Sequence, residues 1–254
     1  MKNLNRVFLW GSVLLVMVGN FAGCAPLPVD KQKQAESHYI LGVSFLKEGN
    51  PTMALKEFLT AESYNPRRAD IQNALGQAYQ LKKSYPEAEK HYLRALELKP
   101  GDPDMHNNLG ALYLDMRAWD KAIASFEKAT GDLLFNSPEL ALTGIGVAWF
   151  HKGDGEQALK YYRQALEQRR SFAPAHHLSG EVFRLRKDFP AARDSYRRAL
   201  EAAPNYAPAH YGLGLVYLEE RHYEEARVSL TKVLSLAGDS ELGEEARRLL
   251  KTIP

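Results

Sequence analysis

The chain has 254 residues, 45% of them hydrophobic, with 33 bases, 31 acids and a formal charge of +2. Lys2 and Arg6 are the only charged residues before Cys24, so the chain from Cys24 onward carries 31 of each sign. That balance excludes the net basic surface with which nucleic-acid binders neutralise phosphates. Cys24 is the single cysteine, so a disulfide within the chain is impossible.

Lys2 and Arg6 lead into an apolar run, Val7 to Val18, and then Gly19-Asn20-Phe21-Ala22-Gly23-Cys24. A basic start, a short apolar stretch and small residues predict an export signal over residues 1–23, since the run is too short to span a bilayer. Phe21-Ala22-Gly23-Cys24 resembles the bacterial lipobox, with Phe where Leu is usual. The resemblance implies that Cys24 is lipidated and becomes the first residue of the mature protein. An uncleaved anchor, or ordinary cleavage that leaves Cys24 incidental, are the alternatives. Ala25 after the cysteine resembles the pattern for outer-membrane delivery, which implies a lipid-anchored protein on the periplasmic face of that membrane. Residues 24–34, with Pro26 and Pro28, read as a tether.

From residue 35 the chain repeats. Gly42, Gly76, Gly110, Gly146, Gly180 and Gly214 stand 34 residues apart, save one interval of 36. Three residues after each comes Phe45, Tyr79, Tyr113, Trp149, Phe183 or Tyr217; twelve after comes Ala54, Ala88, Ala122, Ala158, Ala192 or Ala226. The spacings within a unit fall on one face of a helix, and the period is that of a helical hairpin. Glycine inside a helix costs about 1 kcal/mol against alanine. Six at one register therefore predict a close helix crossing, glycine of the first helix against alanine of the second. Phe58, Tyr92, Phe126, Tyr162, Tyr196 and Leu230 fill the large position of the second helix, and Pro66, Pro100 and Pro204 stop it.

This ladder resembles the tetratricopeptide repeat over residues 35 to 240, with His38, Gln72, His106, Leu142, His176 and His210 where Trp is usual. The resemblance implies an all-α, right-handed solenoid of six hairpins: 35–68, 69–102, 103–138, 139–172, 173–206 and 207–240. Residues 241–254, with Leu242, Ala246, Leu249 and Leu250 on one stripe, read as a capping helix and tail that close the last unit.

The sequence offers no catalytic constellation. Ser44 to Lys47 and Ser125 to Lys128 are Ser-x-x-Lys strings inside repeat helices, without the partner motifs that give such strings meaning. Gly212-x-Gly214 lacks the third glycine and the strand of a dinucleotide site. His38, His106, His176 and His210 share one repeat position and stand one or more hairpins apart, farther than the roughly 2 Å bonds of a shared metal allow. The expectation is a protein that is not an enzyme, with no cofactor, metal or small-molecule substrate. Arg163, Arg169, Arg170, Arg184, Arg186, Lys187, Arg193, Arg197 and Arg198 make a local basic excess that reads as solvated helix faces or as a docking face.

In the repeat family the first helices line a concave groove that holds peptides. The resemblance places Tyr39, Asn73, Asn107, Thr143, His177 and Tyr211 there at the fifth repeat position, with Val43 and Gln77 at the ninth. Asn73, Gln77 and Asn107 suit peptide backbone, and the alternative is that many of these residues are inter-repeat contacts. The lipobox with six repeats resembles the type IV pilus biogenesis and stability lipoproteins of the PilF/PilW family. A further cue is Leu134-Phe135-Asn136-Ser137-Pro138-Glu139-Leu140-Ala141, in the link that makes the 36-residue interval, followed by Thr143 to Gly146. That resemblance implies a pilotin, a scaffold whose partner is an outer-membrane secretin or another pilus-assembly protein. The alternative is a general envelope adaptor that recruits a protease or peptidoglycan enzyme through the same groove.

Overall fold

The structure, a computed structural model, describes residues 29–254. Cys24, the signal segment and the start of the tether lie outside the described residues. Those described form thirteen α-helices and no strands. Twelve pair as hairpins: α1 (Val29–Lys47) with α2 (Pro51–Tyr64), α3 (Ala69–Leu81) with α4 (Tyr85–Leu98), and α5 (Pro103–Asp115) with α6 (Trp119–Thr130). Then come α7 (Pro138–His151) with α8 (Gly155–Gln168), α9 (Ala173–Leu185) with α10 (Phe189–Ala202), and α11 (Ala207–Glu219) with α12 (Tyr223–Ala237). The thirteenth, α13 (Glu241–Leu250), closes the stack.

The tether reading needs correction at its C-terminal end. Residues 29–34 are the first turns of α1. Asp30 sits where an acid favours the helix dipole, and Lys31 to Glu36 are mostly good helix formers.

Each hairpin turns in the same way. The residue after the first helix's C-cap is left-handed in all six: Gly49, Lys83, Arg117, Gly153, Lys187 and Arg221. A 6→1 bond then closes the helix end, as from Ser84 N to Tyr79 O at 3.0 Å. Three second helices start on capping side chains, whereas Ser84 before α4 makes no such bond. Asn50, Asp154 and Asp188 accept from Met53 N, Gln157 N and Ala191 N at 3.1, 3.0 and 3.2 Å.

The glycine ladder works differently from the expected crossing. The atoms nearest a Cβ at Gly76 belong to the Tyr92 ring, at 2.7 Å, not to Ala88. Gly42, Gly110, Gly146 and Gly180 face Phe58, Phe126, Tyr162 and Tyr196, and Gly214 faces Leu230. Glycine thus opens a slot in the first helix for the large side chain of the second. The alanines are fully buried on the same helices and let the ring seat.

The core runs the length of the solenoid in linked clusters rather than one centre. At its end Leu230, Val233 and Ala226 are covered by Ala246, Leu242, Leu249, Leu250 and Ile253. Curvature follows from which helices approach one another. α1 lies close to α3, and the contacts continue from α3 to α5, α7, α9, α11 and α13. Among the described residues no even-numbered helix approaches the next even-numbered one. Odd helices therefore form the inner, concave layer and even helices the outer one.

Candidate protein-binding groove

The inner face presents repeat positions five, nine and twelve of α1, α3, α5, α7, α9 and α11. All eight expected groove residues lie on these helices. They differ in whether the protein already uses their polar groups.

At the first unit Tyr39 is half-buried against the Phe58 ring, and the Arg68 guanidinium stacks 4.8 Å from its ring centre. Burial raises the Tyr39 pKa, helped by Asp70. Val43 and Leu46 are half-buried beside it. In the second unit Asn73 Oδ1 accepts from Asn108 Nδ2 of the next unit at 3.1 Å. Gln80 donates to Asp115 at 2.7 Å and accepts from the Tyr92 hydroxyl at 2.9 Å. Gln77 is half-buried beside them.

The fifth unit is likewise mostly closed, with Arg184 Nε left without a partner. Tyr196 donates to Glu181 at 2.5 Å, and Arg184 bridges Glu181 at 3.0 Å and Glu219 at 2.9 Å. Burial works against the Arg184 charge, but Glu181 and Glu219 outweigh it and its pKa rises. His177 packs against Tyr196 and Tyr206, with Glu181 3.8 Å from Nε2. Burial lowers its pKa and Glu181 offsets part of that, so the ring is neutral near pH 7. Burial raises the pKa of Tyr211 in the sixth unit, and the Glu245 carboxylate of the cap raises it further.

The middle of the face is different. Asn107 Oδ1, Thr143 Oγ1 and the Tyr162 hydroxyl are buried without a protein partner. The register explains each. Asn73 pairs with the sixth position of the next unit, Asn108; for Asn107 that position is Gly144, which has no side chain. For Thr143 it is Leu178. The hydroxyls of Tyr92 and Tyr196 reach past glycine to polar residues at positions twelve and nine. For Tyr162 those positions are Phe150 and Val147. In the other units the large residue matches its surroundings: Phe58 with Val43 and Leu46, Phe126 with Ala111 and Leu114, Leu230 with Leu215 and Leu218. Unit four alone carries a hydroxyl beneath apolar neighbours. Thr143 and Gly146, on which the Tyr162 ring lies, are three residues apart on α7, and α5 with Asn107 is its inner neighbour.

Tyr162 is the core residue that the sequence pattern makes it, and only its hydroxyl is out of place there. The mismatch between position twenty-four and positions nine and twelve is the signal that finds it. Sequence reasoning did not separate Asn73, whose carbonyl is used between units, from Asn107, whose carbonyl is not.

The remaining polar features are structural. His106, His176 and His210 bond through Nε2 to the carbonyls of Pro100, Arg170 and Pro204, each at 3.0 Å, tying a first helix to the loop before it. His38 instead meets Glu57 at 2.7 Å. The basic excess is largely spent in pairs: Arg169 with Glu139, Arg186 with Glu156, Arg193 with Glu220, Arg198 with Asp194. The outer-face cavity between α8 and α10 mixes Arg163, Arg170 and Arg198 with Glu167, Asp194 and Glu201. The docking-face reading of those bases thus loses to the paired, solvated one.

A tetratricopeptide repeat family model matches residues 36–103 and 106–176, and further models of the repeat match 180–220 and 207–240. No curated protein matches the sequence. Among solved structures, the Cut9–Hcn1 hetero-tetramer of the APC/C aligns with a TM-score of 0.72 at 21% identity, over 86% of this chain and 42% of that one. This chain spans less than half of that protein's length. PilF of Pseudomonas aeruginosa aligns with a TM-score of 0.70 at 17% identity, over 87% of this chain and 99% of that one. PilW, described as a widely conserved type IV pilus biogenesis factor, aligns at 0.73 and 17%, over 84% and 98%. At such identities the likeness is one of fold.

Proposed function

The chain belongs to the tetratricopeptide repeat family, and from that premise we propose that it is an outer-membrane lipoprotein that binds a secretin segment and helps the secretin assemble for a type IV pilus. Binding, not catalysis, is its work, and its partner is protein rather than nucleic acid or small molecule. The observation that carries this reading is the pair Asn107 and Thr143 in the middle of the inner face, with the Tyr162 hydroxyl unpartnered in the core behind them. Burying polar groups without partners costs about 1–3 kcal/mol each. An extended peptide laid along the groove offsets that cost with its own amides and carbonyls. Tyr39, Val43 and Leu46 at one end accept apolar side chains.

Two features direct the choice of partner. The fold matches PilF and PilW over nearly their whole lengths. Cys24, lipidated in this reading, holds the chain at the periplasmic face of the outer membrane. The test is deletion of the gene followed by gel analysis of heat-resistant secretin multimers. Loss of multimers together with loss of pili is expected. Unchanged multimers and piliation would sink the reading and favour the general envelope adaptor.

A further inference from the structure

The connection between α6 and α7 is the longest in the solenoid, residues 131–137, and it displays leucine. Leu133 is 100% exposed and Leu134 84%, while the adjoining Phe135 is only 7% exposed. The turn is built to do this. Asp132 Oδ1 accepts from Leu134 N at 2.8 Å, and Phe135 N donates to Asp132 O at 3.2 Å. Phe135 anchors the loop in the core, so the two leucines point away from it. Leu140, on the first turn of α7 and 47% exposed, extends the patch.

The place of this patch follows from helix polarity. Six short connections separate α1 from α7, and each reverses the chain, so the two helices run the same way. Their N-terminal ends share one edge of the solenoid. From that edge α1 projects by residues 29–34, about 9 Å of helix. Cys24 precedes Val29 by five residues, a reach of at most about 18 Å. The same edge carries Lys128, in the last turn of α6, and Arg170, between α8 and α9, both exposed. Among the acids there, Asp132 accepts from the Leu134 amide and Glu139 pairs with Arg169 at 3.5 Å, while Glu127 and Glu167 are exposed. Exposed apolar tips at an edge of mixed charge suit the headgroup boundary of a bilayer. No described helix is long and apolar enough to cross a membrane, so such contact is peripheral.

We propose that Leu133 and Leu134 dip into the bilayer that holds the acyl chains of Cys24. They lay the edge between units on the lipid and leave the inner face open to its partner. This rests on the reading of Cys24 as lipidated. The test uses the full lipidated chain in phospholipid vesicles, with Leu134→Cys labelled by an environment-sensitive thiol probe; acylated Cys24 offers no thiol. Nitroxide-bearing lipid should quench that probe. It should spare the same probe at Val228→Cys, which replaces an apolar residue 71% exposed near the opposite edge, one turn into α12. No quenching at residue 134 while the chain stays on the vesicles, or equal quenching at both sites, overturns the proposal. A probe that ignores the lipid but shifts to the blue when secretin is added assigns the leucines to protein, and overturns it too. A chain that washes off the vesicles overturns the lipidation reading and this proposal together; palmitate labelling of wild type and of Cys24→Ser reads lipidation separately.

Discussion

Three tyrosines at one repeat position have different surroundings, and that difference has a sign. Tyr92→Phe removes a hydrogen bond to Gln80 and Tyr196→Phe one to Glu181. Each should cost about 1 kcal/mol or more, the charged case the larger. Tyr162→Phe removes a buried hydroxyl with no partner. It should leave stability unchanged or raise it by about 1 kcal/mol, as should Thr143→Val. Urea denaturation of the four variants checks this; a destabilised Tyr162→Phe would show a partner for that hydroxyl within the fold. His177 makes a second residue-scale claim. Its pKa lies below the ordinary 6.5 because it is buried, with Glu181 pulling the other way. The unfolded chain therefore binds more protons in the window beneath that value, and stability falls as pH drops from 7 toward 5. His91 and His106 are lowered by burial as well. His177→Gln should make the decline shallower in melts across that range, and an undiminished slope would contradict the assignment.

At the scale of the element, the hairpin turns store strain that glycine can release. Arg117 holds φ 56° and Lys83 φ 59°, where Gly49 and Gly153 sit in the equivalent turns at 72° and 86°. A side chain in this region costs about 1–2 kcal/mol. Part of that returns as backbone entropy when glycine replaces it, so Arg117→Gly should stabilise by roughly 0.5–1 kcal/mol by thermal melting. A loss would mean that the arginine makes contacts worth more than the strain. The cap makes the opposite prediction. Ending the chain at 240 uncovers Leu230 and Val233, both fully buried under α13. That should cost about 3 kcal/mol or more and promote association. A truncated chain that melts at the wild-type temperature would show that α13 is no cap. The repeat period made hairpins, cap and inner helices legible in the sequence, because each is set by spacing along one chain. The left-handed Lys and Arg turns were not legible: helix closure imposes that conformation without asking for glycine. The glycine slots were half legible, since the period locates them but not the ring that fills them. In the groove, the fifth-position residues were legible. Which of them is unpaired depends on the sixth position of the next unit, Asn108 or Gly144, and that pairing appears only once the units stack.

The whole molecule is a shape shared by proteins as unlike as Cut9, PilF and PilW, so the fold alone selects no partner. Toward its ends the polar groups are mostly paired, by Asn73, Gln80 and Asp115 at one and by Glu181, Arg184 and Glu219 at the other, although Arg184 Nε has no partner. Most of the unmet polar groups lie toward the middle, at Asn107, Thr143, Trp149 and Tyr162, and in the proposed reading the centre of the inner face is the seat of the partner. Replacing those groups should therefore spare the fold and damage the function, the reverse of what a core residue does. The direct measurement is heat-resistant secretin multimers in a deletion strain that expresses either the wild-type chain or Asn107→Ala with Thr143→Val at the same level. Wild type should restore the multimers, and the double variant, equally stable and equally abundant, should restore only a small fraction of them. Full restoration by the double variant would contradict the placement of the binding site, and failure of wild type to matter for multimers would contradict the function.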